Sequence, residues 1–307
     1  MKLDITSSIY NDPDQARVHL ELQLWPNGPV CPHCHSQEAT ALTGKSHRTG
    51  LYQCNACREQ FSVTVGTVFE RSKIGLHKWV LASHLMAASK KGISAKQLER
   101  MLGVTYKTAW FMTMRLREAM RDDGAGPLGG EGNIIESDES FIGGKKKNVH
   151  KGKPEPKKHA VHALVERGGK VRVRHVADVT SRTLRQNIRD LTDRKSTLNT
   201  DEALAYHWMG KKEFTEHKTL NHSQDEYVSK DGKTHIQSAE SFFAIMKRGI
   251  TGSFHSISEQ HLQRYLDEFA FRWNTRSSLG VEDFDRATEL LKGAAGKRLT
   301  YRPTNDA

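Results

Sequence analysis

Between positions 12 and 25, Ala16, Val18, Leu20, Leu22, Leu24 and Trp25 recur among charged residues behind an Asp12-Pro13 start signal, a pattern that predicts a short helix. Trp25-Pro-Asn-Gly28 stops it. From position 29 to 69 the periodicity breaks into turns around one alternating run, Phe61-Ser-Val-Thr-Val65, which predicts a small β-rich module. Helical periodicity returns over 77–89 and 94–120, with Leu81, Leu85, Leu98, Leu102, Trp110, Met114 and Leu116 as inward positions. Residues 122–132 hold too much glycine to lie inside an element. Beyond them the spacing predicts strands at 133–141, 159–166 and 171–177, a helix at 182–191, a strand at 196–200 and later helices at 238–248 and 259–273. Three strands followed by helix and strand imply a mixed sheet with helices packed on it.

This punctuation divides the chain into an N-terminal helix with a metal-binding module (1–69), a helical region (70–122), a Gly-rich linker (123–132), an α/β domain (133–287) and a loose tail (288–307). At 307 residues the chain has room for several folding units.

Charge narrows the partners. Lys and Arg number 47 against 36 Asp and Glu, a formal net charge of +11 with the 16 His neutral, which suits a polyanion. Nucleic acid ranks above an anionic membrane surface. No stretch reaches the ~18 apolar residues of a membrane span, and the first residues have no secretory pattern. The expectation is a cytoplasmic protein with no membrane partner.

All four cysteines fall in two Cys-x-x-Cys pairs, Cys31/Cys34 and Cys54/Cys57. Two such knuckles present four thiolates to one tetrahedral Zn²⁺, and in a reducing compartment this outweighs a redox or disulfide pairing. A closed Cys₄ set leaves the ion no open position, so its role is structural. His33 and His35 are then bystanders.

The run from Ser94 to Trp110 predicts a helical pair: Ser94 caps a first helix, Gly103 makes the turn, and Thr105 caps a second. An ordinary helical hairpin fits this pattern as well as a DNA-reading helix-turn-helix does. The neighbouring metal module, the basic balance, Arg115 and Arg117 tilt it toward DNA, with Tyr106 and Lys107 as the contacting side chains. The lysine-rich run 145–158, beginning with Lys145, Lys146 and Lys147, reads either as a solvated loop or as an arm that tracks phosphates.

Acidic residues interrupt apolar text in three places. In Ile134-Ile-Glu-Ser-Asp-Glu139, Glu136 and Asp138 share one face of a strand and Glu139 takes the other. A carboxylate in such a strand needs a compensating partner, and a metal is a natural one. Asp201 ends the strand at 196–200, where a helix cap is locally the better account. Glu240 and Lys247 stack on one helical face, a spacing that read by itself is more often a solvated charge face than a site.

These segments, together with Trp25-Pro-Asn-Gly-Pro-Val-Cys-Pro-His-Cys34, Asp138-Glu-Ser-Phe-Ile-Gly-Gly-Lys145, Thr200-Asp-Glu-Ala-Leu-Ala-Tyr206, Glu240-Ser-Phe-Phe-Ala-Ile-Met-Lys-Arg248, Gly252-Ser-Phe-His255 and the run from Leu262 to Asn274, resemble the zinc-ribbon insertion-sequence transposases with an ISXO-type DDE domain. The resemblance spans nearly the whole chain. It implies a multidomain protein with a small zinc ribbon, an α-helical helix-turn-helix domain and an α/β ribonuclease H-like catalytic domain built on a mixed sheet. It further implies a DNA transposase in which Asp138, Asp201 and Glu240 hold two Mg²⁺ (or Mn²⁺) ions for phosphodiester cleavage and strand transfer. Lys247, with Arg248 beside it, would touch DNA phosphate. The partners so implied are transposon-end DNA, target DNA and further copies of the chain assembled on DNA. Because all three acids are present, the resemblance favours an enzyme over a regulator built on an inactive nuclease fold.

Overall fold

The computed structural model describes residues 4–123, 126–144, 152, 154–201, 206, 213–220 and 234–300. Two compact units divide the chain, one formed by residues up to Arg121 together with those from Gly280 onward, the other by Asp122–Leu279.

In the first unit the predicted opening helix is α1 (Pro13–Leu24), capped by Asp12, whose carboxylate accepts from the amides of Asp14 and Gln15 at 2.8 and 3.0 Å. Strands β1 (Ala39–Ala41), β2 (Tyr52–Cys54) and β3 (Gln60–Phe61) form an antiparallel sheet. Trp25 meets Tyr52 and Phe61 edge-on, with centroids 5.6 and 5.7 Å apart. The alternating run predicted as a strand leaves the sheet at Phe61: Val65 N bonds Ser62 O at 2.9 Å and the chain turns. Phe61, Ser62 and Val63 are buried in succession and Val65 only partly, so the alternation in the text is carried neither by strand pairing nor by alternating burial.

Three helices follow: α2 (Leu76–Ala88), α3 (Ala95–Leu102) and α4 (Tyr106–Met120). Ser94 accepts from Gln97 N at 3.1 Å and Thr105 from Thr108 N at 3.3 Å, so both predicted caps form. Between them Gly103 takes φ +59°, the left-handed conformation that closes a helix cheaply only for glycine.

The second unit is built on a five-stranded mixed sheet of β4 (Ile134–Gly143), β5 (Lys158–Glu166), β6 (Val171–Val176), β7 (Thr197–Asp201) and β8 (Glu216–Leu220) in the order β6-β5-β4-β7-β8. The central strand β4 runs antiparallel to β5 and parallel to β7, and β7 runs parallel to β8. Helix α5 (Ser181–Leu191) covers one face, packing Leu184 and Ile188 on Ile135, Leu164 and Leu198. On the other face α6 (Gln237–Gly249) and α7 (Glu259–Asn274) pack Phe242, Met246, Leu266 and Phe269 on Val161, Ala163, Val165 and Val173. The first and fourth strands of this unit are neighbours, which places the carboxyl end of β7 beside β4.

Strand β8 was not foreseen, because Glu-His-Lys-Thr-Leu on a sheet edge carries little apolar signal. Part of the supposed linker belongs to this unit. Leu128 is buried and exchanges backbone hydrogen bonds with Leu191 and Asp193. At Gly129, with φ +90°, a Cβ would lie 2.1 Å from Ser196 Oγ, so glycine is required for the close approach rather than for flexibility.

The last described helix, α8 (Asp283–Lys292), returns to the first unit. It packs on α2, burying Ala287, Leu290 and Leu291, and Arg286 donates to Ala87 O at 3.1 Å. The sequence expectation placed residues 283–287 with the α/β domain and the rest in a tail. The partner face of α8 lies about 200 positions earlier, and nothing local in the sequence points to it.

Candidate active site and cysteine cluster

Strand β4 delivers its side chains alternately to the two faces of the sheet. Asp138 lies on the face covered by α6 and senses three charged neighbours, Asp201 at the end of β7 and Glu240 and Lys247 on α6. Burial raises its carboxyl to about 6; the Glu139 amide opposes this, the negative charges of Asp201 and Glu240 add to it, and Lys247 counteracts them. Glu240 and Lys247 are exposed and Asp138 and Asp201 half-buried, so the cluster is open to solvent. Anionic side chains converging on a half-buried carboxylate are short of positive charge, and that deficit is the feature that suits a hard divalent cation.

Two carboxylates frame this cluster. Glu136, wholly buried, accepts from Ser238 N at 2.7 Å, Ala239 N at 3.2 Å, Ser238 Oγ at 3.1 Å and Arg167 Nε at 3.0 Å. It satisfies amides at the start of α6 from another element and so fixes the helix that carries Glu240 and Lys247. Glu139 points to the opposite face. Burial pushes its carboxyl up to about 7, the Tyr206 hydroxyl holds it back, and the charges of Asp138 and Asp201 add to the rise.

Behind Glu139 runs a buried hydrogen-bond chain. Asn187 Nδ2 donates to His162 Nδ1 at 2.6 Å, His162 Nε2 meets Ser137 Oγ at 2.8 Å, Ser137 Oγ meets Tyr206 Oη at 3.1 Å, and Tyr206 donates to Glu139. Burial, with Arg174 adding to it, drives His162 down to about 3, so it is a neutral imidazole that accepts at Nδ1 and donates at Nε2. Sequence reasoning missed this network. Ser137 and Glu139 were visible as a face of β4, but Tyr206, His162 and Asn187 join them only through the sheet and α5.

The cysteines meet as their spacing predicts. Cys31 Sγ and Cys57 Sγ are 3.7 Å apart, Cys34 Sγ and Cys54 Sγ 3.5 Å, and all four sulfurs lie within 4.8 Å of one another. Sulfurs placed tetrahedrally at ~2.3 Å from an ion sit about 3.8 Å apart, so the cluster fits one. The Cys57 amide, chief among several contributions, favours the Cys54 thiolate and lowers it to about 6. At Cys57 the Glu59 amide pulls the same way, but burial and the neighbouring sulfurs prevail and push it up to about 12. Four packed sulfurs cannot all ionise without a cation among them.

Of the other sequence candidates, Tyr106 is 50% exposed and Lys107 exposed at the start of α4. Lys96 Nζ lies 5.5 Å over the Tyr106 ring. Arg115 corrects an expectation: it is 9% exposed, and its guanidinium bonds Leu299 O at 3.1 Å and Glu70 O at 3.0 Å. It ties the first unit together instead of reaching outward. Arg248 is exposed, with Nε folded back on Ala244 O at 3.1 Å. Lys145, Lys146 and Lys147 lie outside the described residues. Asn274 is structural, its amide bonding both Val171 N and Val171 O at 2.7 and 3.1 Å.

The fold and the site thus define a metal-ribbon protein with a carboxylate cluster on a mixed sheet. Comparison with known families makes this specific: residues 11–60 match a transposase zinc-ribbon domain and residues 127–274 an ISXO2-like transposase domain. The chain belongs to the zinc-ribbon insertion-sequence transposases with a DDE domain of this type. It is 26% identical over 266 residues to an uncharacterized protein in transposable element ISH50 of Halobacterium salinarum (strain ATCC 700922 / JCM 11081 / NRC-1), a match covering 81% of this chain and 86% of that one. A solved Mos1 transposase paired-end complex with left transposon end aligns over 65% of this chain and 71% of that one at 15% identity and TM-score 0.29, too loose a superposition to define a shared fold. Among the described residues no helix is long and apolar enough to cross a membrane.

Proposed function

We propose that the chain is the DNA transposase of its element, binding element ends and cleaving and rejoining phosphodiester bonds at the cluster on β4, β7 and α6. The observation that carries this is the charge coupling of Asp138 to Asp201, Glu240 and Lys247, four residues from three separate elements. Asp138, Asp201 and Glu240 would hold two Mg²⁺ (or Mn²⁺), which when bound activate the attacking oxygen and stabilise the leaving one. The rise in the Asp138 carboxyl favours a proton when the site is bare; a cation would replace that proton. Lys247, on the same helical face as Glu240, supplies a positive charge for the phosphate, and Glu136 holds α6 in register so that both face Asp138.

The cysteine cluster would hold one structural Zn²⁺, and in so small a module the ion's binding energy is folding energy. In the same unit α3 and α4 supply the helix-turn-helix, with Tyr106 and Lys107 at the exposed start of α4 in the position from which a recognition helix reads DNA. Residues 145–147 and Arg248 would add phosphate contacts. Target DNA is the second substrate and a homo-oligomer on DNA the working form.

The test is incubation of the full chain with labelled element-end DNA and a supercoiled target, in Mg²⁺ or in EDTA. Joined products should appear with Mg²⁺ alone and fall to background in Asp201→Asn and Glu240→Gln, which still bind ends. Gln237→Ala, exposed one turn before Glu240, should stay active. Cleaved ends without joined products would make the protein a nuclease, and full activity of Glu240→Gln would remove Glu240 from the site.

A further inference from the structure

A second cluster of metal-ligating side chains lies away from the acidic site. His159 on β5 and His175 on β6 sit on the sheet face that α7 covers, diagonal neighbours across the antiparallel pair in which Val161 is opposite His175. Their rings meet edge-on with centroids 5.7 Å apart. Glu259, the first residue of α7, joins them: His159 Nδ1 lies 3.6 Å from Glu259 Oε1, and one ligand atom from each of the three residues falls within 4.8 Å of the others.

We propose that His159, His175 and Glu259 bind a divalent transition-metal ion, Zn²⁺ foremost, distinct from the cysteine cluster and from the acidic site. Two imidazoles and one carboxylate suit Zn²⁺ and its neighbours in the first row better than Mg²⁺, which prefers all-oxygen sets. Ligands at ~2.0–2.1 Å from a tetrahedral ion lie about 3.3–3.4 Å apart, so atoms within 4.8 Å of one another need close by no more than about 1.5 Å. The backbone around them is held. Gln263, one turn along α7 from Glu259, accepts from His175 N at 2.9 Å and donates to Val173 O at 3.2 Å, pinning α7 to the edge strand. The His159 side chain is 12% exposed and that of Glu259 46%, which leaves an approach from solvent and open coordination positions.

The groups facing the cluster are compatible with an ion. Beside Glu259 each imidazole, in its neutral form, offers one ring nitrogen as a ligand. Lys157 is the competitor: its ammonium donates to Glu259 Oε2 at 2.6 Å, opposite the oxygen that faces His159, and its side chain is 71% exposed. A bound cation would displace it. The ion would then staple β5, β6 and the start of α7, a cross-link between elements far apart in sequence.

The experiment uses full-length protein loaded with ribbon zinc, dialysed, saturated with Mg²⁺ and titrated with Zn²⁺ by calorimetry, with bound zinc counted by elemental analysis. Wild type should take up one ion beyond the ribbon. His159→Gln and His175→Gln should each lose that ion and keep the ribbon zinc, Glu259→Gln should weaken it tenfold or more, and His47→Gln, an exposed imidazole elsewhere, should change nothing. Lys157→Ala should bind more tightly than wild type, a readout that does not depend on a histidine variant folding. An extra ion that persists in both histidine variants, no extra ion in wild type, or Lys157→Ala unchanged would each overturn the assignment. DNA joining is not read in this titration, so the outcome is independent of the transposase proposal.

Discussion

At the scale of residues, the site is a set of carboxyl groups held where they ionise reluctantly. Asp138 and Glu139 have ordinary values of 3.8 and 4.5 and are raised to about 6 and about 7 in the fold. Each binds its proton more tightly folded than unfolded, so its stabilising share is complete below about pH 4 and is lost as pH rises through about 6 to 7. His162, lowered from 6.5 to about 3, works in the other direction, its share present above about pH 6.5 and lost as pH falls. In protein free of Mg²⁺ but keeping its ribbon zinc, Asp138→Asn should therefore exceed wild type in stability at about pH 7.5, by on the order of 1–3 kcal/mol, and lose that advantage near pH 4. Urea titrations at the two pH values measure it; an equal difference at both would mean that Asp138 does not titrate in this range. Tyr206→Phe removes the donor to the half-buried Glu139 and the partner of Ser137, and should lower unfolding free energy by about 1–3 kcal/mol while leaving the zinc content of the protein unchanged.

At the scale of elements, α6 is positioned by a carboxylate that does not belong to it. Glu136 takes two amides and a hydroxyl from the first residues of α6 and pairs with Arg167. Glu136→Gln preserves volume but turns one acceptor toward donors as an amide NH₂ and leaves Arg167 without its charge partner. Breaking a buried pair of this kind costs roughly 3–5 kcal/mol. Denaturation should show a loss of that order, and strand joining should fall with it even at temperatures where the variant is folded, because Glu240 and Lys247 ride on α6. Unchanged joining in a folded Glu136→Gln protein would show that the helix keeps its register without the anchor.

At the scale of the whole molecule, the first unit is closed by the far end of the chain. Helix α8 buries Ala287, Leu290 and Leu291, Arg286 bonds Ala87 O, and Arg115 bonds Leu299 O. Ending the chain after Leu279 strips an apolar helix from α2 and leaves a buried guanidinium short of an acceptor, each worth several kcal/mol in a domain whose whole stability is about 5–15 kcal/mol. The shortened protein should lose the cooperative thermal transition of its first unit and its binding to end DNA, whereas a loose tail would be removable without effect. Circular dichroism melts and a DNA gel shift distinguish the two.

Local chemistry was legible in the sequence wherever a residue's neighbours along the chain decide its conformation. Asp12, Ser94 and Thr105 cap the helices their positions announced, Gly103 takes the left-handed turn, and the four cysteines converge because each knuckle is fixed by two intervening residues. The other strands and the helices of the second unit likewise follow from period 2 and period 3.6, the edge strand β8 excepted. What only the tertiary structure decided involves partners that meet across the sheet or from opposite ends of the chain. Leu128 and Gly129 read as linker until β7 and the end of α5 closed around them. Arg115 read as a DNA contact until Leu299 and Glu70 claimed its guanidinium, and α8 read as a domain end and tail until α2 offered a face to bury it. His162 and Asn187 carried no signal of their own, and Tyr206 only its place in a family-like run, because a buried polar group is defined by the atoms that satisfy it and those atoms come from other elements.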